Sequence, residues 1–258
     1  MKKHFSRVLI TGTTSGLGRA FKNHYESVGS EVLTINRRDT AETISPLNTV
    51  TDICDPNQVA SYLRALKDRH CLPDLFLLNA GINRADNLDR LDLEEFQEVW
   101  KVNVMGVLSF ISALQQLRIS GRTIAVLSST SNIVPNPAHL GYFASKLVLH
   151  ELIQLLAKKD TQNQYKSIIL SPVRTNIMAG YPAPTGLQGK IFNLLATQPT
   201  EAVADLAHFM GSEKTVLYYT RSACLFYFLV RQVLRVWPRL YGGTKPKAQL
   251  ELVTSHRI

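Results

Sequence analysis

Short apolar runs alternate with longer amphipathic stretches along the first two-thirds of the chain. Residues 7–10, 31–35, 49–53, 74–78, 123–128 and 166–170 hold such runs, bounded by turn residues, which predicts strands. Residues 17–28, 56–68, 93–117 and 142–158 repeat apolar side chains at helical spacing, the third with a break near Asn103. Strands separated by helices of this length pair in parallel through right-handed crossovers. The fold class expected is therefore α/β, a doubly wound parallel sheet with helices on both faces. No linker-like stretch interrupts it before residue 175, so residues 1–220 read as a single domain.

The pattern changes after Thr175. Residues 176–200 are rich in Pro and Gly and without periodicity, as suits a substrate lid, and a helix is expected at 201–210. Residues 222–237 then combine an eight-residue apolar run with Arg231, Arg235 and, just beyond, Arg239, spaced by four. A helix there, ending before Pro238, is amphipathic but too short and too charged to span a bilayer, which takes about 20 apolar residues. Residues 221–258 thus form a basic C-terminal extension with three readings. It lies on an anionic membrane surface, packs on its own domain or a partner subunit, or attracts an acidic acyl-carrier protein.

Composition narrows the picture. The chain has 258 residues, 45% of them apolar and 19% charged, ordinary values for a globular protein able to bury a full core. Cys54, Cys71 and Cys224 are odd in number and lack metal-ligand spacing, so neither a disulfide framework nor a metal site is expected. The apolar run near the N-terminus is too short for a secretion signal, and a cytoplasmic location is expected, with peripheral membrane contact left to the extension. Net charge is +9, of which residues 221–258 supply +6. That asymmetry argues against nucleic acid as a partner.

The candidate chemistry begins at TGTTSGLG, residues 11–18. Glycines between a strand and a helix let the backbone turn sharply and approach a pyrophosphate, which the helix N-terminus stabilises. At the end of the second strand, where NAD enzymes present an acid to ribose hydroxyls, the chain reads Asn36, Arg37, Arg38. Arginine pairs with a ribose 2′-phosphate, so NADP(H) is expected over NAD(H). Tyr142 and Lys146 are four apart at a helix start and share one face. A lysine ammonium there favours phenolate, and Tyr142 is expected to have a lowered pKa. Ser129, at the end of the preceding strand, faces the same crevice in a parallel sheet.

Together, TGTTSGLG, Asp52, NAG at 79–81, Asn103, Ser129, and Tyr142 with Lys146 make the chain resemble the short-chain dehydrogenase/reductase family, in its single-domain Rossmann-type branch. The resemblance implies an NADP(H)-dependent oxidoreductase reducing a ketone or aldehyde of a largely apolar substrate. It implies that Tyr142 transfers the proton, Ser129 orients the carbonyl oxygen, Lys146 holds the nicotinamide ribose, and Asn103 holds a water linking Lys146 to solvent. Gly12, Thr14, Ser15, Gly16, Leu17 and Gly18 would meet the pyrophosphate. Asn36, Arg37 and Arg38 would meet the adenosine ribose, Asp52 and Ile53 the adenine, and Asn79, Ala80 and Gly81 the ribose edge. Val173 and Thr175 would hold the carboxamide, although Leu170 and Ser171 stand where the family has Pro-Gly. A homodimer or homotetramer pairing residues 93–117 and 142–158 is implied as well. His139 and His208 read as structural or surface residues. Two rivals remain: a 3-oxoacyl-acyl-carrier-protein-type reductase, and a non-catalytic NADPH-binding interaction protein at a membrane surface.

Overall fold

A computed structural model describes residues 4–37, 49–84, 91–129, 139–170, 173–175, 177 and 196–219. The chain divides into two compact units, Met1–Arg221 and Ser222–Ile258. The second unit, Arg38, Ser171 and nearly all of the expected lid lie outside the described residues.

The strands are β1 (Arg7–Thr11), β2 (Glu31–Asn36), β3 (Thr49–Val50), β4 (Leu75–Leu78), β5 (Thr123–Ser129), β6 (Gln164–Leu170) and β7 (Val216–Tyr219). The helices are α1 (Gly16–Ser27), α2 (Pro56–Asp68), α3 (Leu93–Trp100), α4 (Gly106–Gln116), α5 (Leu140–Lys159) and α6 (Pro199–Met210), with a π turn at Lys101–Met105 between α3 and α4. One sheet runs β3-β2-β1-β4-β5-β6-β7, and every neighbouring pair is parallel. The chain winds outward from β1 in one direction and then from β4 in the other. Between β1 and β4 the strand order reverses, and the carboxyl ends of these strands open a crevice there.

Alternation along the strands builds two cores. Leu9, Leu33, Ile35, Phe76, Leu78, Ile124 and Val126 point to one face, against Val59 and Leu63 of α2, Phe110 and Leu114 of α4, and Leu149 and Ile153 of α5. Val8, Ile10, Leu75, Leu77, Ala125, Leu127 and Ile168 point to the other, against Leu17 and Phe21 of α1 and Leu206 of α6. Strands buried on both faces read as continuous apolar runs, and β4 (LFLL) is buried throughout.

The elements differ from the pattern in three places. The strand expected at 49–53 ends at Val50, because the Asp52 carboxylate accepts the Cys54 N–H at 2.9 Å and turns the chain toward Pro56. The break near Asn103 is a π turn, so one register shift occurs without ending the helical path. β7 had no clear signal in a four-residue run, and it forms because β6 offers it a partner.

Candidate active site

The glycine turn is tied from three sides. Asn79, just past β4, donates through Nδ2 to the carbonyl oxygens of Thr11 (2.9 Å) and Gly12 (3.0 Å). Thr11 Oγ1 in turn accepts the Ala80 N–H at 2.9 Å. Asn36 Oδ1 accepts the Thr13 N–H at 2.8 Å, and Asn36 Nδ2 donates to Thr13 Oγ1 at 3.0 Å. At Gly18 the helix crosses the turn so closely that a Cβ would overlap the Gly12 carbonyl oxygen and stand 2.6 Å from Asn79 Nδ2. Gly16 opens α1 at φ +56°, a left-handed conformation that other residues resist.

Asn36 and Asn79 have their amides turned onto the chain, so both side chains shape the turn. Arg37, next in line, is exposed. Thr14 and Ser15 are exposed at the α1 start, where Ser15 makes no side-chain cap and the first turn carries no acid. The Thr175 methyl group lies 3.3 Å from where a Gly16 Cβ would stand, which brings Thr175 to that same helix start. Val173 bridges Thr197, and the Arg174 N–H donates to the Thr197 carbonyl at 2.9 Å. Ile53 packs against Gly106 at the start of α4.

On the other side of the crevice, β5 ends in Ser129 and α5 presents Tyr142 and Lys146. The Ser129 side chain hydrogen-bonds that of Tyr142. Lys146 Nζ stands 5.7 Å from the Tyr142 ring centroid and donates to the Leu127 carbonyl at 2.9 Å. The structure thus brings Ser129, Tyr142 and Lys146 together. Desolvation pushes the Tyr142 hydroxyl up to about 12, against a lowering pull from Ser129, and holds the Lys146 ammonium down at about 8. The expected lowering of Tyr142 by Lys146 is therefore corrected. Within the protein alone, loss of water around both groups governs both shifts.

Asn103 is fully buried in the π turn, and its side chain is engaged by its neighbours. Its Oδ1 accepts the Ile82 N–H at 2.8 Å, and its Nδ2 donates to the Ile82 carbonyl (2.9 Å) and to Ser145 Oγ (3.0 Å). Both Nδ2 hydrogens are thus used within the protein. A Cβ on Gly81 would stand 3.2 Å from Asn103 Oδ1 and 3.5 Å from Lys146 Nζ, so Gly81 lines this wall. His139, buried at the α5 start, approaches the Arg84 carbonyl at 3.4 Å, and His208 is exposed. Arg84 in turn reaches Glu98 at 2.9 and 3.0 Å and Glu95 at 3.1 Å on α3.

Sequence reasoning missed Ser128 and Ser145. Ser128 Oγ donates to the Lys146 carbonyl at 3.0 Å, and Ser145 Oγ to the Tyr142 carbonyl at 2.7 Å. Both sit next to residues that had been singled out, but nothing local signals a partner contributed by another element.

Residues 6–191 match the family model for short chain dehydrogenase. The chain belongs to that family. It is 31% identical over 170 residues to an uncharacterized oxidoreductase of Schizosaccharomyces pombe, covering 63% of this chain and 58% of the yeast protein's length. It is 24% identical over 228 residues to a 3-oxoacyl-[acyl-carrier-protein] reductase of Synechocystis, covering 82% of this chain and 91% of that protein. Its fold matches that of an alcohol dehydrogenase of Thermococcus sibiricus, solved with 5-hydroxy-NADP, at a TM-score of 0.71 and 19% identity. That match covers 83% of this chain and 96% of the other.

Proposed function

We propose that the chain is an NADP(H)-dependent oxidoreductase that reduces a ketone or aldehyde on a largely apolar molecule. The observation that carries this reading is the Ser129–Tyr142–Lys146 cluster at the mouth of the crevice, with an uncapped helix start facing it across the switch point. The residues fit a dinucleotide: α1 begins at glycines, its first turn has no acid, and no side chain caps its N–H donors. Those donors, with Thr14 and Ser15, would hold the pyrophosphate. The exposed Arg37, with no acid at the end of β2, supports the choice of a 2′-phosphate.

A bound nicotinamide dinucleotide supplies the hydride. Ser129 donates a hydrogen bond to the carbonyl oxygen and orients it beside Tyr142. Tyr142 stays protonated through neutral pH and gives its proton to that oxygen as negative charge develops there. Lys146, buried and charged below about pH 8, stabilises the phenolate left behind and would hold the nicotinamide ribose. Asp52 and Ile53 would line the adenine and Val173 and Thr175 the carboxamide. The Synechocystis relative favours acyl-carrier-protein thioesters as the second substrate class to test. Exposed Leu93, Met105, Leu147 and Leu155 on α3, the π turn and α5 support a homo-oligomer built on these elements.

The test is dinucleotide oxidation by the full chain across aliphatic, steroidal, aromatic and thioester-bound ketones, with NADPH and NADH side by side. Turnover is expected with NADPH preferred, and Tyr142→Phe is expected to lower it by about 100-fold or more, the range of one general acid. Wild-type rates from Tyr142→Phe would refute the mechanism. NADPH binding without turnover on any ketone would favour the interaction-protein reading.

A further inference from the structure

The hydrogen bonds around Asn103 form one directed chain. Asn103 is held to Ile82 by two bonds, one to the N–H and one to the carbonyl, much as a neighbouring strand would be. This arrangement fixes which end of the amide is oxygen, since only Oδ1 can accept the Ile82 N–H. Nδ2 then has a second hydrogen, and it points to Ser145 Oγ at 3.0 Å. Ser145 passes the direction on, donating to the Tyr142 carbonyl at 2.7 Å.

Ser145 and Asn103 are both fully enclosed, at 0% exposure. A buried serine inside a helix forms helix less readily than alanine, and its hydroxyl needs partners. This one has an acceptor on its own helix and a donor on the π turn. The π turn itself is what swings Asn103 out of the α3–α4 register toward α5. Three pieces of the chain meet through the one hydroxyl: the loop after β4, the π turn and the first turns of α5.

We infer that Ser145 is a positioning residue: by joining Asn103 to the Tyr142 carbonyl, it sets where α5 presents the Tyr142 hydroxyl and the Lys146 ammonium relative to Ser129. The inference rests on the proposed role of Tyr142 as proton donor. Removing the Ser145 hydroxyl leaves a buried Asn103 N–H without an acceptor and frees the turn carrying Tyr142 to shift. The chemical step is sensitive to such shifts, whereas the dinucleotide cradle at α1 is built from other elements.

The experiment compares the full-length wild type with Ser145→Ala, Ser145→Cys, Asn103→Ala and the Ser145→Ala/Asn103→Ala double variant. The assay is carbonyl reduction from pH 5 to 10, with NADPH affinity measured in parallel. Ser145→Ala is expected to lower kcat by about 10- to 100-fold, with KM and NADPH affinity within about twofold and the limbs of the pH profile displaced. Ser145→Cys, of similar size with a weaker donor, should fall between. The double variant should lose no more than the worse single one, because both break the same link. If Ser145→Ala does not fold, the Cys variant and the Asn103→Ala comparison carry the test.

Wild-type kcat and an unmoved pH profile in Ser145→Ala or Ser145→Cys, with Tyr142→Phe inactive, would overturn the positioning role and leave the proposed function standing. Additive losses in the double variant would also overturn it. A fully active Tyr142→Phe, or a wild-type chain that reduces no ketone, removes the proposed function, and the role of Ser145 falls with it.

Discussion

Helices that start at the same edge of the sheet are built in two opposite ways. At α2, Asp55 accepts the N–H groups of Asn57 and Gln58, and Pro56 removes a donor from the first turn. At α3, Asp92 does the same for Glu94 and Glu95. At α1, Ser15 is extended, caps nothing, and is followed by glycine, with no acid in the turn. At α2 and α3 a carboxylate thus closes the first donors. The α1 start leaves them without a side-chain cap, and the turn is stabilised instead by Asn79 and Asn36 beneath it.

The contrast can be broken most severely at Gly18. Gly18→Ala drives a methyl group into the Gly12 carbonyl, so dinucleotide binding is expected to be lost, measured by titration calorimetry. Binding within threefold of wild type would mean that this turn is not the phosphate cradle.

Next comes α5, whose buried cation opposes the fold. The Lys146 pKa is about 8 in the folded protein, below its value of about 10.4 in the unfolded chain, so between these limits the unfolded chain binds more protons. Stability should therefore rise as pH increases from 8 to 10, by about 2 kcal/mol from this group. Denaturant titrations of Lys146→Met should lack that part of the rise, and identical slopes in the two proteins would refute it.

Ser15→Asp sharpens the comparison directly, since it makes α1 resemble α2. An acid at this position stabilises the helix by about 0.3–1 kcal/mol while repelling a pyrophosphate. Melting temperature should hold or rise, with dinucleotide affinity falling about tenfold, a cost of about 1.4 kcal/mol. Unchanged affinity would place the phosphates elsewhere.

The smallest effect is expected at Asp92→Ala, where loss of a cap costs about 1 kcal/mol. Thermal melts should shift down by about 2–4 °C, with dinucleotide affinity untouched. A matching loss of affinity would mean that α3 and α1 do not divide their tasks as described.

The parallel sheet, the glycine turn and the Tyr142–Lys146 pair were legible because each depends on spacing within a short segment. The bonding of Asn36 was hidden for the opposite reason. Its position after β2 was evident, but its partner Thr13 is 23 residues away, and the amide's direction depends on that contact. Lys166 shows the same limit. It sits in the middle of β6 and is completely buried, with Nζ donating to the carbonyls of Ser212 (2.6 Å) and Lys214 (2.9 Å) over the Phe209 ring. No pattern in a strand announces a lysine satisfied by the turn after a later helix.

By itself the sequence determined the succession of elements, the parallel α/β class and the positions of the candidate site side chains. These follow from periodicity and from residue types that act over a few neighbours. The tertiary structure decided which polar groups point into the crevice and which are consumed in building it. It turned Asn36, Asn79 and Asn103 inward, joined Ser128 and Asn103 to α5, and surrounded Tyr142 and Lys146 closely enough for desolvation to govern both. The physical reason is that hydrogen-bond direction and the loss of water are set by atoms distant in the chain, and these come together only when the sheet and its helices pack.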